Sequence, residues 1–493
     1  MQTLQKRKWY SGITTTEDWW AVWIALFFTA LGLVSLTGID LVGWIAYPSK
    51  WVGFEGKYSL MHAIKPLGKG YSGLGFIGSI LVGYIAFTIP LSLAAYFMKW
   101  NMKKFLGGWT IIYFLTYAIW IVGHHAKFAA DETNKAKYGL EWVMSLGGGA
   151  SFILALIVGL IIGNFIKPLA RYMSVAAKPE MFIKIAIVFL GVKVGYLCLK
   201  ASGFVFDLAI AGAAATVVAY LIFWPGTYLI ARKIFKLPRK TSAVISSGIS
   251  VGGVSAAVAT AGAVRARPLI PVMVSALIVI YAVIELVIIP PLFTKTMLDQ
   301  PVVAGAAMGM AIKTDGADAA AGAIMDEMMR VAKAEEDGTQ WEEGYITTSA
   351  IMTKIWIDMF IGLWAFVLAM IWIYKIDRTP GEHVMVSEIW HRFPKFVLGY
   401  FLTWGLYLSI LAFNKDMISF AKIGAVPVEK GMRKLFFMFT FLSIGVITDF
   451  KKLAEARFGK MIVVYLIALF VFIIPVAIGV AWLFHHGMQV PVK

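Results

Sequence analysis

Apolar residues in this chain fall into blocks of about 20, the length a helix needs to cross the hydrocarbon core of a bilayer. Short charged or Pro/Gly-containing stretches separate the blocks. Of the 493 residues, 60% are hydrophobic and 15% are charged, whereas soluble domains average about 25% charged residues. The pattern therefore predicts an all-α polytopic membrane protein whose main solvent is the lipid bilayer.

The blocks predict about 13 transmembrane helices. They lie at 19–37, 72–98, 105–124, 147–166, 180–200, 206–231, 242–264, 269–293, 302–325, 347–375, 393–413, 432–450 and 460–484. The first block follows three basic residues, as a signal peptide does, but it is too long and ends in no small-residue cleavage site. We expect an uncleaved first span.

Lysine and arginine clusters between the blocks predict the orientation. The densest cluster lies at 232–240 and the next at 451–460. Both become cytoplasmic when the N-terminus is cytoplasmic, which places the C-terminus outside a bacterial-type plasma (inner) membrane. Because the net charge of +17 resides mainly in such clusters, it indicates membrane orientation and no nucleic-acid partner.

Ten of the predicted helices follow residue 146 and divide into two sets of five, 147–293 and 302–486. Since five is odd, the second set enters the membrane from the opposite side, which is the inverted-topology repeat of many transporters. Ten helices also divide into two fives trivially, so the pattern leaves both interpretations open. Residues 1–146, with three helices, are then an N-terminal extension.

The block 242–264 is rich in Gly, Ser and Ala, as expected of a helix that is interrupted near the midplane and exposes backbone groups to a solute. Close helix packing in lipid selects the same residue types, and the sequence does not decide between the two. The substrate-binding candidates in this block are Ser246, Ser247, Ser250, Gly252, Gly253 and Ser255.

The stretches PEMFIKIAIVFLGVKVGYLCLK, ISSGISVGGVSAAVATAGAVRA, FPKFVLGYF and FLSIGVITDFKKL resemble the family of bacterial proteins named as sulfate exporters (YeiH-like), over about residues 147–485. The resemblance implies ten core helices in inverted repeats, with the fourth and ninth broken and crossing. Those helices are 242–264 and 432–450 here. It adds Lys193, Ser443, Gly445 and Thr448 to the substrate-binding candidates.

Ionisable residues inside the predicted spans are a second group of candidates, because such residues at bilayer depth usually mark a pathway or an ion pair. Lys313 is a substrate-binding candidate. The ion-coupling candidates are Glu285, Asp315, Asp318, Lys354 and Asp358. Internally neutralised pairs that only hold helices together would explain the same residues.

These patterns favour a secondary transporter of a small anion, such as a sulfate-like oxyanion, an organic sulfonate or a carboxylate, coupled to H⁺ or Na⁺. A cation:proton antiporter and a non-transporting sensor or assembly subunit are the alternatives. No catalytic cluster, cofactor motif or metal-ligand spacing is visible, so we expect neither an enzyme nor a cofactor. A homodimer is compatible with the resemblance, and no residue pattern tests it.

Overall fold

The computed structural model describes residues 12–130, 135–144, 146–200, 204–267, 269–376, 390, 394–413, 417–451 and 459–492. These residues are mainly helical, with one small antiparallel sheet of β1 (Ala46–Pro48) and β2 (Ile64–Pro66). By length and composition, seven described helices could cross a membrane, or eight if one bent pair counts as a span. The predicted all-α polytopic class is confirmed.

The first three predicted spans are helices that pack onto the rest of the molecule. Helix α1 packs against the helix Pro179–Lys200, where Lys184 Nζ lies 2.7 Å from Asp18 Oδ1. The helices of this part are α1 (Glu17–Leu33), α2 (Leu60–Ala63), α3 (Gly75–Phe97), α4 (Met102–Gly123) and α5 (Ala126–Ala129). Short 3₁₀ turns lie at Val34–Thr37, Lys69–Leu74 and Lys135–Tyr138. The domain division at residue 146 stays a prediction.

The next helices are α6 (Gly149–Phe165), α7 (Lys167–Met173), α8 (Pro179–Lys200) and α9 (Phe204–Leu229), which continues as a π turn at Ile230–Ile234. Helices α6 and α7 meet at an angle of 114°. The short α7 was not among the predicted helices, because its seven residues are too few to leave an apolar block.

The block 242–264 is a helical hairpin. Its arms are α10 (Arg239–Ser247) and α11 (Gly253–Ala263), joined by a π turn at Gly248–Gly252. Lys240 Nζ lies 3.5 Å from the Arg265 carbonyl oxygen, and a Cβ at Gly248 would lie 3.4 Å from the Ala257 Cβ. Nine residues of continuous helix would separate positions 248 and 257 by about 13 Å. Although long and apolar enough to span, the segment therefore folds back; we call it hairpin A.

Glycine makes the tip of hairpin A. Gly253 has φ +62° and ψ −134°, and Gly252 has φ −148° and ψ 40°. The first pair of angles lies in a region that residues with a Cβ rarely adopt. The Gly-Gly pair in SVGGVS thus reverses the chain, where the sequence had predicted an interrupted but crossing helix.

Block 302–325 is a second hairpin, hairpin B, with arms α13 (Pro301–Ala311) and α14 (Asp315–Asp337). Near its base, Lys333 Nζ lies 3.4 Å from Asp299 Oδ1. Gly309 on α13 and Gly322 on α14 both contact Ala350, which requires the two arms to lie side by side. The predicted single span is therefore wrong here too, because the chain turns back after Ile312.

The two hairpins begin on opposite sides of the molecule. Helix α12 (Leu269–Thr296) joins them, and its 28 residues extend about 42 Å. We call the side with the ends of hairpin A the N-terminal face. The side with the ends of hairpin B is the C-terminal face, where Trp341 pairs with Val492 near the chain end.

The remaining helices are α15 (Tyr345–Met359), α16 (Ile361–Met370), α17 (Phe396–Phe413), α18 (Ile418–Val426), α19 (Arg433–Ile447), α20 (Lys460–Leu466) and α21 (Ile474–His485). Pi turns lie at Ile371–Ile376, Pro427–Met432 and Ile467–Ile473.

The predicted break in 432–450 is absent from the helix that forms there, since α19 is continuous from Arg433 to Ile447. It packs closely along α6, where a Cβ at Gly159 would lie 2.9 Å from the Gly445 Cα. Small residues at this position therefore serve helix packing. The predicted crossing of 242–264 with 432–450 is replaced by the contact between the hairpins described below.

Asp326 ties hairpin B to the start of α15. Its carboxylate accepts hydrogen bonds from the backbone N–H groups of Gly344 and Ile346 at 3.0–3.1 Å and pairs with Arg330 at 3.0 Å.

Asp326→Asn should lower the free energy of unfolding by about 1–3 kcal/mol, because buried donors lose a charged acceptor. Thermal unfolding in detergent measures this. Asp299→Asn is the matched control, because its carboxylate is exposed, and an equal loss of stability in both variants would contradict the assignment.

Candidate functional site

The tips of the two hairpins touch each other in the interior. Gly253, at the start of α11, lies against the Lys313 carbonyl oxygen so closely that any Cβ would overlap it. A Cβ at neighbouring Gly252 would lie 2.9 Å from Asp358 Oδ1. Both glycines are buried. The contact therefore requires glycine for space as well as for backbone conformation.

Two helix N-termini meet at this contact. Helix α11 begins at Gly253 and α14 begins at Asp315, directly after the tip of hairpin B. Thr314 caps α14 by accepting a hydrogen bond from the Ala317 N–H at 3.2 Å. The first N–H groups of a helix and its dipole favour negative charge, so paired N-termini suit an anion.

Two buried lysines lie at the same place. Lys313 is 1% exposed, and its ammonium donates a hydrogen bond to the Met310 carbonyl oxygen in the last turn of α13. Lys354, on α15, is 3% exposed, and its Nζ lies 3.4 Å from both the Lys313 carbonyl oxygen and Asp358 Oδ1. Backbone carbonyls and a carboxylate thus hold both cations beside the hairpin tips.

Three buried carboxylates accompany the two lysines. Glu285 on α12 is fully buried; one of its oxygens accepts a hydrogen bond from the Tyr465 hydroxyl at 2.7 Å and the other faces the Lys313 N–H at 3.4 Å. Asp358 pairs with Lys354, and Asp318 lies buried one turn into α14. The cluster joins α12, α14, α15 and both hairpin tips.

Aromatic residues from α9 and α20 border the cluster. Lys313 Nζ lies 5.7 Å from the centroid of the Phe223 ring, and the Tyr220 hydroxyl donates to the Ile357 carbonyl oxygen at 2.6 Å. The Trp224 indole N–H donates to Ser247 Oγ at 2.8 Å. Sequence reasoning missed these residues and Tyr465, since an aromatic residue within an apolar block gives no signal of its role.

Most of the predicted site residues come together here. Ser250 donates to the Ser246 carbonyl oxygen within hairpin A, and Ser247 bonds Trp224. Asp315 begins α14, but its side chain lies outside the described residues. The predicted residues at or beside the hairpin contact are Ser246, Ser247, Ser250, Gly252, Gly253, Glu285, Lys313, Asp318, Lys354 and Asp358.

Four predicted substrate-binding residues lie elsewhere, and a fifth, Ser255, follows Gly253 in the first turn of α11 but is exposed. Lys193 lies beside Gly344 near the C-terminal face, with its Nζ 3.9 Å from Glu429 Oε2. The Thr448 carbonyl oxygen accepts a hydrogen bond from the side-chain amide of Asn164 at 3.1 Å. The other two, Ser443 and Gly445, are on α19, whose main packing partners in the described structure are α6, α8 and α4.

With this geometry established, comparison with known proteins identifies the family. A family model described as "Conserved hypothetical protein 698" matches residues 142–478. A UPF0324 membrane protein from Nitrosomonas europaea is 51% identical over 486 residues, which cover 98% of this chain and 99% of that protein. The chain belongs to the UPF0324 family of membrane proteins.

A second UPF0324 relative and one solved structure are less similar to this chain. A UPF0324 membrane protein from Rhodopirellula baltica is 30% identical over 86% of this chain and 68% of its own length. A sodium proton antiporter from Methanocaldococcus jannaschii, solved at pH 8, covers 74% of this chain and all of its own with 13% identity and a TM-score of 0.16. That similarity is too low to carry an argument about fold or function.

Proposed function

We propose that this UPF0324 protein is a secondary active transporter, and not an enzyme, that carries a small anion across the inner membrane. The contact between hairpin tips entering from opposite faces carries the proposal, because it places two helix N-termini and two buried lysines together. A sulfate-like oxyanion, an organic sulfonate or a carboxylate fits such a site.

The hairpins also suggest how the site could open. Each ends on a different face of the protein, and their tips meet between those faces. Withdrawal of hairpin A would expose the lysines to the N-terminal face, and withdrawal of hairpin B would expose them to the C-terminal face. Alternating access around a fixed central site has this form.

Glu285 is the residue we assign to coupling, with H⁺ or Na⁺ as the coupling ion. It is fully buried, contacts the backbone of Lys313 at the tip of hairpin B, and bonds a hydroxyl from α20. A carboxylate there can take up a proton or a cation as the anion arrives, which offsets one of the negative charges that the anion brings into the closed site. Asp318 and Asp358 supply the remaining negative charge.

Glu285→Gln should uncouple flux from the driving ion. We expect uptake driven by a pH or Na⁺ gradient to fall about tenfold, the equivalent of 1.4 kcal/mol, while exchange of the same anion without a gradient continues. Proteoliposome uptake and counterflow measure the two activities. Equal losses of uptake and exchange would remove Glu285 from the coupling role.

Reconstituted wild-type protein with a panel of sulfate, methanesulfonate and acetate tests the anion class. We expect counterflow of at least one of them, faster than in liposomes without protein. Absence of counterflow for every anion, together with persistent Na⁺ or H⁺ exchange, would overturn the anion assignment. Loss of all flux would favour a non-transporting sensor or assembly subunit.

A cation:proton antiporter is the second candidate, because three buried carboxylates accompany the two lysines. It predicts that adding Na⁺, K⁺ or Li⁺ dissipates a preformed pH gradient in the absence of a transported anion. The anion transporter predicts no dissipation under that condition. A fluorescent pH indicator inside the liposomes distinguishes the two functions.

A further inference from the structure

A cavity of about 410 Å³ opens on the C-terminal face, between the N-terminal helices and the rest of the chain. Tyr47, Lys50 and Tyr58 line it from the N-terminal side, and Glu343, Lys430 and Lys434 line it from the other side. Neither the sequence nor the hairpin site accounts for it. Both the connection between α1 and α3, which carries Tyr47, Lys50 and Tyr58, and the later part of the chain therefore build it.

Ion pairs form the floor of this cavity. Glu343 Oε1 lies 2.7 Å from Lys434 Nζ, and Glu327 pairs with Arg330 and accepts a hydrogen bond from the Gly148 N–H at 2.7 Å. Burial alone would raise the pKa of Glu343, but Lys434, Lys193 and Arg330 hold that pKa well below its ordinary value. The carboxylates therefore remain ionised and offset the charge of Lys434 and Arg330.

Among the described residues that line the cavity, Lys50 and Lys430 add to Arg330 and Lys434, so positive side chains outnumber the two carboxylates. Lys430 Nζ lies 5.0 Å from the centroid of the Tyr47 ring, and Lys50 lines the same cavity. The Tyr47 hydroxyl accepts a hydrogen bond from Lys434 at 3.2 Å, so a tyrosine from one side of the cavity and a lysine from the other side are held together. Ammonium donors around a half-enclosed space suit a small anion.

The cavity also lies near the first turn of α15, the helix that leads inward to the hairpin tips. Glu343 and Gly148 on its floor also line a much smaller cavity of about 20 Å³, together with Asp326, Gly344 and Thr347 of hairpin B and α15. From Thr347, α15 continues inward for seven residues to Lys354, a distance of about 10 Å. The ion pairs on the floor thus separate the cavity from the buried lysines.

We propose that this cavity is a capture site, which binds the transported carboxylate, sulfonate or oxyanion at the C-terminal face before it reaches the hairpin tips. The proposal rests on the anion transport proposed above. It assigns to the connection between α1 and α3 the role of completing the site through Tyr47 on β1 and Lys50 just after it. A capture site with more positive than negative side chains raises the association rate of an anion.

Transport kinetics test the capture site with Lys430→Gln, and Lys69→Gln serves as the matched control. Lys69 is exposed at the start of the 3₁₀ turn Lys69–Leu74, where it lines a different cavity, and it is not among the residues that line this one. Sulfate, methanesulfonate or acetate is presented at the C-terminal face at low salt. Lys430→Gln should then raise KM about threefold to tenfold, because electrostatic steering alone changes association rates by about 10-fold or more. The maximal rate should stay unchanged. Lys69→Gln should leave KM unchanged. Equal KM values in Lys430→Gln and wild type would overturn the proposal.

Equilibrium binding separates this proposal from the transport proposal. The full chain in detergent is titrated, by calorimetry, with whichever of the three anions it exchanges most rapidly. We expect two binding sites in wild type, one in Lys313→Ala, and one in the double variant Lys430→Gln/Lys50→Gln. If Lys313→Ala binds none, the hairpin site stands and the capture site is wrong. If wild type and Lys313→Ala bind equally, the capture site stands and the hairpin site is wrong.

Discussion

Gly253→Ala should reduce anion flux by at least about tenfold, because a non-glycine residue held in such a backbone conformation is strained by about 1–3 kcal/mol. Gly253 has φ +62°, and its Cβ would overlap the Lys313 carbonyl oxygen. The added methyl group must push the tip of hairpin A away from the tip of hairpin B. Counterflow in proteoliposomes measures the loss.

Gly479→Ala is the control for this variant. Gly479 lies in α21, and a Cβ there meets no atom of the described residues within 4 Å. We expect it to transport like wild type, and both variants to be monodisperse in detergent at similar yield. Wild-type flux in Gly253→Ala would contradict the contact between the hairpin tips as a functional element.

Lys313→Ala should weaken anion binding about 10- to 150-fold, since a hydrogen bond to a charged group contributes about 1.5–3 kcal/mol. The side chain is 1% exposed and lies at the tip of hairpin B, beside Gly253. Without it, one of the two cations at the paired helix N-termini is gone. Flux at anion concentrations below KM measures this loss directly.

Lys295→Ala removes the same charge at an exposed position near the end of α12 and serves as the control. We expect it to retain wild-type KM and maximal rate. A sensor or assembly subunit would tolerate Lys313→Ala without functional loss, so unaltered activity in that variant would contradict the transporter proposal.

The positions of the helices could be predicted from apolar blocks, but the folding back of two of them could not. A hairpin with two arms of about ten residues and a single span of about 20 have the same apolar length. The two segments that form hairpins were nevertheless the two unusual ones, 242–264 for its glycines and serines and 302–325 for its mid-span charges. Those residues now lie at the hairpin tips.

The candidate site was predictable only where local sequence carries a signal. Lys313, Lys354, Asp358 and Glu285 are exceptional because charge is rare in apolar blocks, and the structure brings them together. Tyr465 lies 180 residues from its partner Glu285, and no local pattern relates the two. The assignment of Lys193 depended on a family resemblance, and the structure pairs this lysine with Glu429 instead.

The glycines show why packing and function are hard to separate in sequence. Gly445 and Gly253 both lie in segments that the sequence predicted to be broken helices. Gly445 allows α19 to approach α6, whereas Gly253 has positive φ and meets the tip of the other hairpin. Backbone conformation and the identity of the neighbouring chain decide the difference, and both depend on tertiary structure.

Solute protection of single cysteines tests the location of the site most directly. In a background with Cys198→Ser, which removes the one native cysteine, Ser250→Cys places a thiol in the turn of hairpin A and Ser443→Cys places one on α19. We predict that the transported anion slows the labelling of position 250 by a membrane-permeant thiol reagent. The labelling rate at position 443 should not change. Protection at 443 without protection at 250 would contradict a solute site at the hairpin tips.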